Sequence, residues 1–535
     1  MYFTLTASKD TYITDKIIES KFSASNANVG HASTIDLFRL YDESSLSGTI
    51  TTNELTRALI KFDYGRINKL KFKELNLNSS NFECRLELFD IMGGQVTPTN
   101  FTLIVFPLSQ SFDEGRGKDV VNFADLDSAN FITASVSNGV VSAWHASGAN
   151  AQGAIIHPGT YPANIDIIVS GNLSDGEGSV GLGKTQTFVN GGENLSIDVT
   201  KIVSATIAGI IPNHGFRLSF TGSEEQDNKT KFVKRFASRH VRDPLLRPKL
   251  TVSYDNTVLD NHRNFEFNVS GTLFLNNFHR GKPASILSGA SLTPVTGTNC
   301  LLLCLRTGSF VRYFTGSQHQ AGTREVYTNK GGESYSYVTG VYSATLALPY
   351  SDTTTVAFNT TLTQMAARTG SVTFETYWSS LEPEGKENAR VGYHTGSLVI
   401  KKSTTTGFDY VGKEIDLIVI NARSIYSATE RIQFRVFGRE FVRKERAHRV
   451  PYRRESLIFN EVYYRILDVD TRKILVPFKQ DNNGTRLSTD STGMFFEMYM
   501  DTLAIGRNYT FEFLVIDHGF EEIIEAKNVS FRVTK

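Results

Sequence analysis

The chain has 535 residues, 40% apolar and 21% charged, with a formal net charge of +1. That length exceeds what one hydrophobic core organises, so several domains are expected, and near-neutrality excludes a global field built for nucleic acid or an anionic membrane. Three cysteines, Cys84, Cys300 and Cys304, make no disulfide framework, so packing must hold the molecule together.

The chain carries 37 Phe and 21 Tyr against 13 Pro. Aromatic and β-branched enrichment suits pleated, half-buried surfaces, and no heptad or long amphipathic helical pattern competes with it. The expected fold class is all-β. The N-terminus, MYFTLTASKDTYI, lacks a charged region followed by an apolar one, so no secretory signal is read there and synthesis and folding in a cytoplasm are expected. Apolar runs such as Cys300–Leu305 fall far short of the ~20 residues that span a bilayer.

Residues 1–255 read as one large β domain. Asp10-Thr11-Tyr12-Ile13 opens it. Arg57–Asp63 has Ala58, Ile60 and Phe62 on one face of a strand, and Cys84, Leu86 and Leu88 alternate with Arg85, Glu87 and Phe89. Thr102–Phe106 follows as a further strand. Seven glycines between 171 and 192 predict an exposed loop or a frayed hairpin. Leu195, Ile197 and Val199 repeat at period two. Leu250, Val252 and Tyr254 form the closing strand, with Pro248 just before it, where a missing N–H costs no ladder bond. The remainder divides into three units of about 90–100 residues, the size of an immunoglobulin-like sandwich. They are 256–349, which opens on Phe265, Phe267 and Val269; 350–446, with strands near 397–401, 415–421 and 432–437; and 447–535, with strands near 463–469, 494–500, 509–516 and 529–533.

Several residue groups invite chemistry, each beside a plainer reading. Asp113-Glu114 and Asp125/Asp127 could form a glycosidase carboxylate pair, or solvate loops and turns. Asp175-Gly176-Glu177 offers oxygen ligands for Ca²⁺ without EF-hand spacing. Cys300 and Cys304 share a face, but no further ligand pair follows for zinc, which favours small core residues. Trp144-His145, with His157 downstream, could stack on a sugar or lie in a core or interface. The run Gly178–Thr185 (GSVGLGKT) formally matches a phosphate loop, yet β-prone residues follow where a helix is required. Two basic strips stand out. One holds Lys231, Lys234, Arg235, Arg239 and Arg242; the other holds Arg439, Arg443, Lys444, Arg446, Arg449, Arg453 and Arg454. With acidic stretches such as Glu521, Glu522 and Glu525 balancing them, they read as docking patches that set register between subunits, beside the alternatives of a solvated face and a nucleic-acid stripe.

Asp10–Ile13, Asn28-Val29-Gly30, Arg57–Asp63, Val105–Leu108, Asp198-Val199-Thr200, Phe236–Arg239 and Arg247–Leu250 occur in that order. Together they resemble the DNRLRE type of β-jelly-roll module, named after a disaggregatase-related family and grouped with carbohydrate-binding modules. The whole chain, including Phe437–Glu440 and Ile466–Asp470, is similar to structural proteins of tailed bacteriophages. The resemblance implies an N-terminal jelly roll followed by immunoglobulin-like sandwiches in a virion protein of the neck, tail or baseplate, assembled in the host cytoplasm. It further implies a homo-oligomer that docks on other virion proteins, with no catalysis, cofactor, metal, nucleic acid or membrane. The alternative is a carbohydrate-binding or adhesion protein that uses the jelly roll on a glycan.

Overall fold

The computed structural model describes residues 1–44, 53–71, 73–92, 97–122, 125–156, 160, 162–173, 178–321, 336–381, 389–402, 414–440, 455–517, 520–527 and 529–535. It is all-β, with helix confined to short turns and capping segments between strands.

The N-terminal body contains β1 (Tyr2–Thr14), β2 (Thr34–Tyr41), β3 (Asn53–Phe62), β4 (Glu83–Leu88), β5 (Phe101–Pro107), β6 (Lys184–Phe188), β7 (Leu195–Asp198), β8 (Phe216–Phe220), β9 (Lys231–Ala237) and β10 (Lys249–Ser253). The long strand β1 serves two sheets. Its first half pairs with β10, which continues to β4 and β7. After an irregularity between Ala7 and Lys9, its second half pairs with β3, which leads on to β8, β5 and β6. A bulge at that point lets one strand turn the corner between two sheets. The strand β2 pairs with β3 and β9. Between the sheets lies the main core. Cys84, Leu86 and Leu88 point into it from one side, and Ala58, Ile60, Phe62, Leu103 and Val105 from the other.

The strand β3 is buried on both faces. Leu59, with Ile13 of β1, joins a second core with Leu108, Phe112, Phe131, Trp144 and Ile167, which the long connection between β5 and β6 supplies. The single-faced alternation read for residues 57–63 is therefore half of that strand's environment. The covered outer face also explains why Arg57 and Arg217 are buried.

The middle body is one six-stranded antiparallel sheet, in the order β11 (Gly271–Asn276), β14 (Ser336–Leu346), β13 (Phe310–Ala321), β12 (Leu301–Thr307), β15 (Ser371–Ser380), β16 (Gly392–Lys401). Phe267 N–H donates to Lys401 O and Lys401 N–H to Phe265 O. The segment that precedes β11 thus reaches the opposite edge strand, which curls the sheet like a barrel. One core, from Phe265 to Ile400, fills it. The C-terminal body is an immunoglobulin-like sandwich. One sheet holds β17 (Ile415–Val419), β19 (Arg431–Glu440), β23 (Gly493–Tyr499) and β22 (Ser488–Asp490). The other holds β18 (Ile425–Ser427), β26 (Phe531–Thr534), β24 (Asn508–Asp517), β20 (Glu461–Asp468) and β21 (Ile474–Val476), with β25 (Phe520–Glu525) beside β24. Its core is aromatic. Tyr464 stacks on Phe496 with centroids 4.2 Å apart, and Phe434, Phe511 and Phe531 pack around them.

The expected boundaries at 349/350 and 446/447 do not follow these sheets. Strand β15 pairs with β12, and β19 pairs with β23, so each boundary would cut a sheet. Three expected units resolve into two bodies, because alternation marks a strand without naming its partner.

The first and last bodies are joined through side chains. Arg431 reaches Glu74 at 2.8 Å and also Glu497. Arg66 pairs with Asp501 and lies over the rings of Tyr499 and Phe3. Lys479 meets Glu83 at 2.8 Å, and Asn482 donates to Glu83 and Ser253. Tyr2 is counted in the C-terminal core. The middle body is tied in through the incoming segment. There Val258 and Asp260 exchange backbone bonds with Thr489, and Asn264 Nδ2 donates to Ile458 O.

Candidate functional site

Three pieces of the ordered motif set converge at one end of the N-terminal body. Asn28 is fully buried and acts as a hub. Its Nδ2 donates to the carbonyls of Glu114 and Ala129, and its Oδ1 accepts from the N–H of Gly30 and Gly117. Such a saturated amide is what a buried Asn requires. The packing demands glycine nearby: a Cβ on Gly30 would stand 1.8 Å from Glu114 O, and Gly115 has φ +76° with the Asn28 amide where its Cβ would go.

The hub presents Glu114 to Asp10, Arg239 and His240. Arg239 Nε and Nη2 donate to the two Glu114 oxygens at 2.5 and 2.8 Å, the bidentate geometry of a strong ion pair. Asp10 N–H donates to Glu114 Oε1 at 3.0 Å, while Asp10 Oδ2 accepts the Arg239 N–H at 2.6 Å. His240 Nε2 lies 3.4 Å from Glu114 Oε1, and the His240 ring packs on His31 with centroids 4.4 Å apart. Asp10 is 1% exposed. Burial is the main cause that pushes its carboxyl up to about 7, opposed by the Arg239 N–H; burial likewise lowers His240 below the usual imidazole range. Asp10 Oδ1 has no hydrogen-bond partner among the described residues, and His240 Nε2 has only its contact with Glu114. Two carboxylates and an imidazole so placed can share a proton or hold a cation. The sequence offered the pieces, but assembling them needs contacts across more than 100 residues.

The first basic strip turns inward. Lys234 is fully buried, with Asp90 and the carbonyls of Gly191 and Glu193 around its ammonium. Lys231 pairs with Asp227, Arg235 with Asp36, and Arg239 with Glu114. These four do not form a docking patch, because their partners lie within the same body. Arg242 alone of the five is exposed. In the second strip, Arg439 pairs with Asp416 at 2.8 Å; Arg443, Lys444, Arg446, Arg449, Arg453 and Arg454 lie outside the described residues.

Trp144 is 5% exposed and its Nε1–H donates to Asn130 O, so it is a core residue and no sugar platform. His145 is exposed, its N–H donating to Asp166 Oδ1. Asp113 accepts from Val136 N–H, and Asp125 accepts from Arg116 N–H, each serving loop geometry. Thr185 belongs to β6 and no helix follows it, which rules out the phosphate-loop context. Cys304 faces outward between Tyr313 and Tyr377, its neighbours across the sheet, while Leu301, Leu303 and Leu305 fill the core; Cys300 packs at the core's margin. Cys304 is thus not the core residue expected. Asp175, Glu177 and His157 lie outside the described residues.

No family model matches the chain, and no curated protein matches it. Among solved structures, it is similar to fibronectin(III)-like modules of Clostridium thermocellum CbhA at 8% identity and a TM-score of 0.14, covering 53% of this chain and 93% of that one. It is also similar to the FN1-FN3 domains of chicken CNTN1 at 8% identity and a TM-score of 0.14, covering 64% and 82%. Trypsin-activated alpha-2-macroglobulin from Escherichia coli, at 10% identity and a TM-score of 0.15, covers 100% of this chain, which spans 30% of that protein. Scores this low carry no argument about function, and the fold rests on the strand pairing described above.

Proposed function

We propose that this chain is a non-catalytic structural component of a tailed-phage particle that acts by docking on other particle proteins. The observation that supports this reading is the join between the first and last bodies. Arg431, Glu74 and Glu497, Arg66 and Asp501, and Lys479 and Glu83 link residues roughly 400 apart into one unit. Rigid placement of separate sandwiches is what a particle component needs, and the resemblance to phage structural proteins adds to it. The docking faces are not the strip at 231–239, whose charges are already paired. Exposed side chains of the middle body, such as Val311, Tyr313 and Val399, stand in its place. An interface that persists there should bury more than about 1,000 Å².

Mass spectrometry of purified particles tests this. A fixed stoichiometric amount of the protein is expected, and its absence from particles would overturn the reading. The glycan alternative loses Trp144 but gains a groove lined by Phe278, Leu287, Tyr393 and His394. A glycan array on the purified chain, with Tyr393→Ala as the control, distinguishes it.

A further inference from the structure

We propose that Asp10, Glu114 and His240 form a binding site for a divalent transition-metal ion, zinc foremost. One carboxylate oxygen of Asp10, one of Glu114 and one ring nitrogen of His240 lie within 4.8 Å of one another. Side-chain proximity alone would not carry this. The independent observation is that Asp10, 1% exposed, leaves Oδ1 without a hydrogen-bond partner among the described residues. Buried polar atoms are rarely left unpaired, and each calls for an explanation such as an ion.

The surrounding contacts leave room for a cation. Arg239 N–H holds Asp10 Oδ2, which fixes the carboxylate and frees Oδ1. A carboxylate offers about four lone-pair sites. Glu114 uses two on Oε1, for Asp10 N–H and Arg239 Nε, and one on Oε2, for Arg239 Nη2. One remains. The donor set selects the ion: an imidazole nitrogen with carboxylate oxygens suits zinc and its neighbours, whereas calcium and magnesium take oxygen ligands. His31, packed on the His240 ring, is the nearest further imidazole.

Such an ion would tie together β1, the loop at Glu114 and the turn at Arg239-His240, three segments that the chain brings together from afar. The site is independent of any role in a particle. Calorimetry of the full chain, stripped with chelator and then titrated with Zn²⁺, tests it. One ion per chain is expected, with a higher melting temperature. His240→Gln, at a partly exposed position, should weaken binding at least tenfold; Asp10→Asn should do the same, and His145→Ala should leave it unchanged. Substitution by Co²⁺ gives a second readout, a visible absorption band lost in the His240→Gln protein. Absence of Zn²⁺ and Co²⁺ binding, or binding unaltered by His240→Gln, would overturn the proposal.

Discussion

The N-terminal and middle bodies handle polar side chains in opposite ways. In the N-terminal body, charged groups are drawn inside. Arg39 is fully buried and donates to the Glu225, Lys229 and Asp227 carbonyls and to Asn53 Oδ1. Arg57 pairs with Glu225 at 2.7 Å and donates to Gly148 O. In the middle body, the core is apolar, and Tyr313, Val311 and Val399 stand on the surface. A body whose charges are internally satisfied is specified in shape and has few charges left for partners. A body with an apolar interior and exposed aromatic or aliphatic groups is the one suited to contact.

The largest expected effect comes from breaking an internal pair. Arg57→Ala leaves Glu225 buried without its partner, which should cost about 3–5 kcal/mol, read by chemical denaturation of the purified chain. The next effect is pH-dependent and falls on the segment that connects the bodies. Burial raises Asp260 to about 6, above the ~3.9 of an unfolded Asp. The folded state therefore binds the extra proton between those values. Stability should rise by up to about 2 kcal/mol as pH falls from above 6 toward 4, and be lost again as pH rises. Asp260→Asn should flatten that slope in pH-dependent melting. Third, Arg431→Ala removes a partly exposed link to Glu74 and Glu497. About 1–2 kcal/mol is expected after solvent screening, with calorimetry showing the first and last bodies beginning to unfold separately. The smallest stability effect is Tyr313→Ser on the middle body, within about 0.5 kcal/mol as for a surface site; incorporation into particles should fall all the same.

Much of the fold was legible because strand alternation is local. Residues 83–88, 195–198 and 249–253 carry the pattern and form strands. What was not legible was partnership. Residues 371–380 fall inside the expected unit 350–446, yet they complete a sheet with 301–307 of the unit before it. The basic strip misled for the same reason: the partners of Lys234, Arg235 and Arg239 are Asp90, Asp36 and Glu114, each more than 100 residues upstream. Asp113-Glu114 reads as a carboxylate pair in the sequence, but Glu114 is held instead by the Asp10 N–H, across 104 positions. Trp144 could be read as core or as platform until the connection after β5 was seen to build a second core around it.

The most direct measurement is electron microscopy of assembled particles at a resolution that places side chains. The first and last bodies are expected as one rigid density, with neighbouring subunits touching the middle body around Tyr313. Neighbours seated on the strip at Lys231–Arg239, or particles with no density for this chain, would contradict it.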